Sequence, residues 1–157
     1  MNFLRTSLAL VVCFGLSAVV RAEDKVELDK LPAKVKEAVK AKFPDAELVS
    51  AASEKADGKT NYEVTIKNKK KNIDVTVSED GKIVSVEVEI DYKALPKAVA
   101  EAFAAKYSKA KVTKCEEITK DGKVTFEVIF SAGGKDFEAV FEPTGKFVSE
   151  EDTTKKK

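Results

Sequence analysis

The chain has 157 residues, enough for one ordinary domain or for two small units that share a core. It carries 28 lysines and arginines against 27 acids, a formal net charge of +1, and it contains no histidine. A near-neutral chain lacks the strong basic field that general nucleic-acid binding requires. The absence of histidine removes the commonest general base and the commonest transition-metal ligand.

The N-terminus has the pattern of a secretory signal. Arg5 precedes an apolar run over 8–20, and Val20-Arg21-Ala22 ends it with small or aliphatic residues at the −3 and −1 positions. The run of about 13 residues is shorter than the ~20 residues that cross a bilayer. We therefore predict a signal peptide over 1–22, cleaved after Ala22, a periplasmic or secreted location, and no stable membrane insertion after cleavage.

The rest of the chain repeats itself at an offset of 64 residues. Positions 31–89 aligned with 95–153 give 19 identities in 59 pairs without a gap. A repeat of this kind indicates a duplicated structural unit. We predict a first repeat over 23–90, a second repeat over 91–151 and a disordered tail over 152–157.

Each copy opens with an amphipathic helix. The apolar residues fall at 31, 35, 38, 39 and 43 in the first copy and at 95, 99, 102, 103 and 107 in the second, which is one stripe on a helix. Pro32 and Pro96 are suited to the first turn, where a missing N–H costs nothing. The pattern predicts helices over 31–43 and 95–107.

Alternating polar and apolar residues follow each helix. In the first copy a short strand starts at Leu48, and the segments 62–66, 73–77 and 84–90 alternate with period two. Asp57-Gly58, the lysine-rich segment 67–71 and Asp80-Gly81 mark the turns between the strands. We predict an α+β fold with two tandem repeats, each one helix followed by a four-stranded antiparallel sheet. The two sheets could pair edge to edge into eight strands or pack as two lobes, and the sequence leaves both possibilities open.

The residues on the polar side of these strands are candidates for a binding face. Such a side is ordinarily the solvated face of an amphipathic sheet. It is also acidic, and in the second copy two threonines are replaced by Ile129 and Val140, which suits a basic partner and modest apolar burial. The predicted partner-binding residues are Glu63, Thr65, Asp74, Thr76, Glu87, Glu89, Glu127, Ile129, Glu138 and Val140.

Groups that carry catalysis or bind metals are scarce. Only Cys115 remains after signal cleavage, so no disulfide and no thiolate zinc site can form within a monomer. This thiol is either a small buried side chain or a reactive, dimer-forming one. Gly133-Gly134 is typical of a hairpin turn and not of a phosphate-binding loop. We predict no catalytic residue, no metal site and no cofactor, and the oligomeric state is left open.

An ordered set of motifs occurs once in each copy: Leu-Pro, Val four residues after the Leu, an aromatic residue that closes the helix, Asp-Gly-Lys, aromatic-Glu-Val, and Gly-Lys before a strand. This set resembles the PepSY-like putative beta-lactamase-inhibitor-like family, over 31–89 and 95–151. The resemblance implies a small exported bacterial protein with tandem helix-plus-sheet units, similar to a fold whose concave sheet grips another protein. The best-known inhibitor of that fold has disulfides, which this chain cannot form within a monomer.

Taken together, the residues and the resemblance predict an exported, non-enzymatic protein. It is expected to bind or inhibit a protein or peptide through the open acidic sheet face, and the acidic charge favours a basic partner. One alternative is a cell-envelope protein that binds a small ligand or a cation such as calcium. Another is a structural envelope protein without a specific site.

Overall fold

The structure is a computed structural model that describes residues 24–56 and 58–154. The predicted signal peptide lies outside these residues. The helices are α1 (Ala33–Lys42) and α2 (Lys97–Lys106), each preceded by a 3-10 turn, at Leu28–Lys30 and at Tyr92–Ala94. The strands are β1 (Asp24–Val26), β2 (Glu47–Ala56), β3 (Lys59–Asn68), β4 (Lys71–Ser78), β5 (Ile83–Ile90), β6 (Lys111–Lys120), β7 (Lys123–Ala132), β8 (Lys135–Phe141) and β9 (Phe147–Asp152).

The strands form one antiparallel sheet in chain order from β1 to β9. β5 pairs with β4 on one side and with β6 on the other, so the two repeats join edge to edge. Of the two arrangements left open by the sequence, edge-to-edge pairing is the observed one. The prediction of a four-stranded sheet in each repeat is wrong, although α+β and the tandem arrangement hold. The additional strand is β1, which has three residues and is too short to show a period-two pattern.

β5 belongs to both repeats. At the 64-residue offset, β1 corresponds to the end of β5: Val26 lies opposite Ala51 as Ile90 lies opposite Cys115. Val86 lies within the core of the first repeat, whereas Ile90 packs against the core of the second. Each repeat thus uses five strands, and the shared strand makes the sheet continuous.

Both helices are ten residues long and end where the backbone leaves helical dihedral angles. Phe43 has φ −131° and precedes Pro44, which disfavours a helical conformation at the preceding residue. Tyr107 adopts a nearly equal φ of −128° before Ser108, so proline is not required for this ending. No helix among the described residues is long and apolar enough to cross a membrane.

The helices cover one face of the sheet, and each covers a distinct core. The core of the first repeat is aliphatic, with Val35 and Val39 of α1 packed on valines and isoleucines of the sheet. The core of the second is aromatic: Phe103 of α2 makes edge-to-face contacts with Phe130 and Phe141, at ring-centroid distances of 5.2 and 6.3 Å. One backbone plan therefore accommodates two different side-chain packings.

One turn in each repeat passes close to the start of the helix. Gly81 and Gly145 have φ of +91° and +83°, where a side chain is strained. A methyl group on Gly81 would lie 3.1 Å from the carbonyl oxygen of Lys34. On Gly145 it would overlap the carbonyl oxygen of Ala98 and lie 2.9 Å from its carbonyl carbon. Close approach and backbone conformation together explain why both copies keep glycine here.

Residues 152–154, assigned to a disordered tail from sequence, are part of the folded chain. Asp152 is the last residue of β9, and the Thr153 N–H donates to the Asp136 carbonyl at 2.9 Å. The Asp136 N–H in turn donates to the Thr154 hydroxyl at 3.1 Å. The disorder prediction fails for these three residues, and the remainder of the predicted tail, 155–157, lies outside the described residues.

Candidate functional site

The ten predicted partner-binding residues lie on the sheet face opposite the helices, which we call the open face. They alternate along their strands with core residues such as Val64, Val75 and Val128, which point towards the helices. Both described helices pack on that other side. In the register, Glu63 lies opposite Thr76 and Glu127 opposite Val140, so the candidates occupy neighbouring positions across the strands.

β6 adds open-face residues that the sequence prediction missed. Glu116 lies directly opposite Glu89 of β5 on one side and Glu127 of β7 on the other. Three glutamates on successive strands thus form a line across the sheet, here called the acidic row. Like charges directly opposite each other on neighbouring strands destabilise a sheet. Other interactions in the folded protein must therefore compensate for the repulsion between these glutamates.

The acidic row was missed because β6 does not alternate. Its sequence Lys114-Cys115-Glu116-Glu117-Ile118 has polar residues on both faces, and Glu117 lies opposite Val88 on the helix side. The repeat alignment is the signal that could have located it. Position 116 aligns with Ala52, which lies opposite Glu63 on the neighbouring strand. In the same way, Glu116 lies opposite Glu127, the aligned counterpart of Glu63.

Two further glutamates flank the acidic row and complete what we call the carboxylate cluster. The five members are Glu87, Glu89, Glu116, Glu127 and Glu138.

Glu116 and Glu89 of the carboxylate cluster each have a polar partner at close distance. Glu116 is only 4% exposed, and one of its carboxylate oxygens lies 2.8 Å from the Lys114 ammonium. Glu89 accepts a hydrogen bond of 3.0 Å from the Asn72 side chain. The cluster therefore brings several carboxylates together in a partly buried region of the sheet face.

Burial and neighbouring charges raise the pKa values of two members, Glu127 and Glu87. Burial raises the pKa of Glu127 to about 8, and the charges of Glu138, Glu116 and Glu87 contribute, against a smaller lowering by Lys114. Burial also raises the pKa of Glu87, with help from Glu116 and Asp74.

Neighbouring acids raise the pKa of Lys114 as well, which in a lysine favours the charged form. Burial lowers its pKa, but the hydrogen bond and charge of Glu116, together with Asp74 and Glu89, outweigh burial and raise it overall. The lysine therefore stays firmly charged, whereas Glu127 and Glu87 are harder to ionise than isolated glutamates.

Apolar side chains border the acidic row in the second repeat. Ile118 lies opposite Glu87, Ile129 opposite Lys114, and Val140 opposite Glu127. The aligned positions in the first repeat are Glu54, Thr65 and Thr76, all polar. The open face is therefore uneven, with Glu116 buried and these three aliphatic side chains partly buried in the second repeat.

The structure favours one of the two interpretations of Cys115. The side chain is 2% exposed on the helix side, and burial raises the pKa of its thiol to about 11. A reactive cysteine needs an accessible thiolate, so this one has the properties of a structural core residue.

A cation site gains no support from the arrangement of acids. Over 24–56 and 58–154, no group of three or more acids or cysteines is arranged to hold a metal ion. The carboxylates of the acidic row lie on separate strands, one of them is paired with Lys114, and they do not converge as calcium ligands do.

The fold defines a class of proteins in which tandem helix-on-sheet units share one antiparallel sheet. Solved structures of this kind include a domain-of-unknown-function family protein from Bacteroides uniformis, 20% identical, with a TM-score of 0.70 over 80% of this chain and 92% of that one. A putative periplasmic protein from Bacteroides eggerthii is 18% identical, with a TM-score of 0.69 over 78% and 89%. A BLIP-like protein from Bacteroides fragilis is 21% identical, with a TM-score of 0.64 over 78% and 87%. At these identities the likeness establishes the fold.

The family model described as putative beta-lactamase-inhibitor-like, PepSY-like matches the chain twice, over residues 18–85 and 84–149. The chain belongs to this family, which confirms the resemblance found in the repeated motifs. The two matches meet within β5, the strand that both repeats share. No curated protein matches the chain.

Proposed function

We propose that this protein is an exported, non-enzymatic binding protein that holds a basic protein or peptide on its open sheet face. The observation that carries the proposal is the carboxylate cluster: five glutamates on neighbouring strands of one sheet face, bordered by Ile118, Ile129 and Val140. This concentration of acids would attract a lysine or arginine of a partner. The aliphatic border would bury apolar area around that contact.

Other features support the location and the absence of catalysis. The signal-like segment over 1–22 favours export, and the similar protein from Bacteroides eggerthii is described as a putative periplasmic protein. The family description points to inhibitor-like proteins, which act by binding. The open face is broad and continuous over nine strands, which suits a protein surface better than a small molecule.

The test is charge reversal on the open face with matched controls. One variant carries Glu127→Lys and Glu138→Lys; a second carries the aligned first-repeat changes Glu63→Lys and Asp74→Lys. A third carries Glu37→Lys and Glu101→Lys, at exposed and aligned positions of the two helices. All three variants change the net charge equally, so a difference between them reports position and not total charge.

Each variant is used to capture partners from an envelope extract, and thermal unfolding verifies that it is folded. We expect the second-repeat variant to lose the captured partners, the first-repeat variant to lose fewer, and the helix variant to retain them. Equal retention by all three folded variants would show that the open face is not the binding surface. If the second-repeat variant unfolds, Glu127→Gln with Glu138→Gln replaces it.

A further inference from the structure

The turn between β3 and β4 concentrates lysines at one end of the sheet in the first repeat. Asn68 pairs with Lys71 across the two strands, which leaves Lys69 and Lys70 as a two-residue loop. The side chains of both loop residues are exposed, as are those of the lysines on either side. The four exposed lysines of this turn, here called the basic tip, are Lys67, Lys69, Lys70 and Lys71.

Both loop residues of the basic tip have a backbone conformation that suits glycine. The φ angle is +60° at Lys69 and +149° at Lys70. Two-residue hairpin loops favour positive φ, which glycine adopts freely and a residue with a Cβ adopts only with strain. The second repeat forms the same loop with Gly133 and Gly134, at φ of +61° and +79°. The first repeat thus keeps two strained lysines where its copy has glycine, and strain of this kind is commonly retained at functional sites.

The two hairpin turns also differ in charge. Lys135 is the counterpart of Lys71, and its ammonium lies 2.7 Å from a carboxylate oxygen of Asp152. In the first repeat, Glu47 lies opposite Lys67, and the other three lysines of the basic tip are beyond this last pair of β2 and β3. The basic tip therefore has four lysines at positions where the second repeat has one.

A shallow concavity of about 460 Å³ lies beside the lysine side chains, lined by Asn68, Lys69, Lys70, Lys71 and Ile73. Ile73 belongs to the core of the first repeat and is 6% exposed. The stem of a lysine is apolar up to its ammonium group, so it can lie along apolar material while the charge stays at a polar boundary. Lysine stems next to Ile73 suit a boundary between hydrocarbon and anionic groups.

We propose that the basic tip docks on a bilayer surface that contains anionic phospholipids. Clustered lysines are attracted to such a surface by its negative potential. Lysine is a compact point charge without the fixed fork of arginine, so it suits many equivalent phosphates better than one shaped acidic site. A two-residue loop reaches a flat surface readily, whereas a stable protein partner needs a broad contact. The basic tip shares no residue with the carboxylate cluster, so docking does not require a partner on the open face.

The first experiment measures flotation of the protein, purified after export, with vesicles of phosphatidylcholine alone or with one third phosphatidylglycerol. We expect the wild type to bind only the anionic vesicles, and binding to weaken from about 50 to about 500 mM salt as the charges are screened. Lys69→Gly with Lys70→Gly installs the residues of the second repeat. It should weaken binding by about ten- to thirtyfold, the loss expected for two lysines near an anionic surface.

Two results of this experiment overturn the proposal. One is a wild type that does not bind the anionic vesicles, or binds both kinds equally. The other is equal binding by the wild type and the glycine variant. Lys155, Lys156 and Lys157 are the same in every variant, so they cannot cause a difference between variants.

The second experiment separates charge from backbone strain by thermal unfolding of the same proteins. The glycine variant should melt about 2 to 6 °C above the wild type, because it relieves the strain at both loop residues. Lys69→Gln with Lys70→Gln removes the charges but keeps a Cβ at positive φ, so it should lose binding equally without this rise. A glycine variant that melts no higher than the wild type contradicts the strain. Full binding by the glutamine variant shows that the charges of the tip are not the cause.

Two controls test the place and the partner. Lys120→Gln with Lys123→Gln removes two exposed lysines from the turn between β6 and β7, at the opposite end of the sheet, and should retain vesicle binding. An equal loss in this control would show that total charge is responsible and not the basic tip. Soluble polyglutamate is the second probe. A wild type that binds polyglutamate more tightly than the anionic vesicles would show that the partner is an acidic protein and would overturn docking on a bilayer.

Discussion

The two repeats share a backbone plan and differ on both of its faces. Towards the helices, Val39, Ile66 and Val77 of the first repeat become Phe103, Phe130 and Phe141 in the second. Val75 becomes Ala139, which makes room beside the larger rings. A duplicated unit can therefore exchange an aliphatic core for an aromatic one when total volume is redistributed.

On the open face the same comparison separates an ordinary solvated surface from a charged site. Ser50 and Ala52 in the first repeat correspond to Lys114 and Glu116 in the second. These two substitutions create the buried ion pair and place a carboxylate opposite Glu127. The core differences preserve packing, whereas the open-face differences introduce a cost in stability, and such costs are commonly retained at functional sites.

The largest expected effect concerns the close contact between a turn glycine and the start of the helix in each repeat. Gly145→Ala should destabilise the protein by about 3 to 5 kcal/mol, because positive φ and overlap with the Ala98 carbonyl act together. Gly81→Ala should cost about 1 to 2 kcal/mol, since its nearest contact, at 3.1 Å, requires a smaller shift. Urea unfolding of both variants measures the difference. Equal costs would mean that the two turns meet their helices with equal clearance.

The next effect is a pH dependence of stability that belongs to the second repeat. The pKa of Glu127 is raised from 4.5 to about 8 in the folded state, so the protonated form is favoured by folding. Its contribution to stability is fully present below about pH 4.5 and is lost as the pH rises through about 8. We expect the free energy of unfolding to fall by on the order of 3 kcal/mol between pH 5 and 8.5.

The two aligned glutamine variants locate this pH dependence. Glu127→Gln should make stability nearly constant over that range, whereas Glu63→Gln should preserve the decline. Urea unfolding at closely spaced pH values is sufficient. A wild-type protein whose stability is constant from pH 5 to 8.5 would show that the cluster ionises without penalty.

The third prediction concerns the ion pair of Lys114 and Glu116, whose residues are replaced by those at the aligned positions of the first repeat. Lys114→Ser leaves Glu116, 4% exposed, without its ion-pair partner and should cost about 2 kcal/mol at pH 8. The cost is below that of fully buried pairs because the Lys114 side chain is 35% exposed. Adding Glu116→Ala should recover most of the loss, since both charges are then absent. A double variant less stable than Lys114→Ser would contradict this account.

The smallest expected effect concerns Cys115, whose counterpart is Ala51. Cys115→Ala should cost about 1 kcal/mol, because a small buried side chain becomes slightly smaller. In the native wild-type protein, a thiol reagent should react only at the rate of unfolding, since the pKa of the thiol is about 11 and the side chain is buried. Rapid labelling at neutral pH would show that the thiol is accessible after all.

The helices, the longer strands and the open face could be predicted because each has a strong local signal. The apolar stripe of α1, with Val35 and Val39 fully buried, and the alternation of β3 and β4 are visible in the sequence. The ten open-face candidates followed from the same alternation. The sequence allowed the union of the repeats into one sheet but could not select it over two separate lobes, because the pairing of β5 with β6 joins residues that are distant in sequence and share no motif.

The centre of the open face could not be predicted for a different reason. β6 has a bulge between Val112 and Lys114 and places Glu117 towards the helices, so its polar residues give no consistent parity. The shift in the pKa of Glu127 depends on burial and on three other strands. Such a property arises from tertiary structure, and only the register between strands revealed it.

The shared strand β5 has a consequence for how such proteins can be cut or extended. If every added unit reuses the last strand of the previous one, an array of n units contains 4n+1 strands. No unit can then be removed without taking a strand from its neighbour. On the helix side of β5, Val86 and Val88 pack against the core of the first repeat. At the aligned positions β9 has Glu150 and Asp152. These acids disfavour pairing of another unit onto β9, so growth of the sheet at that edge is opposed by charge.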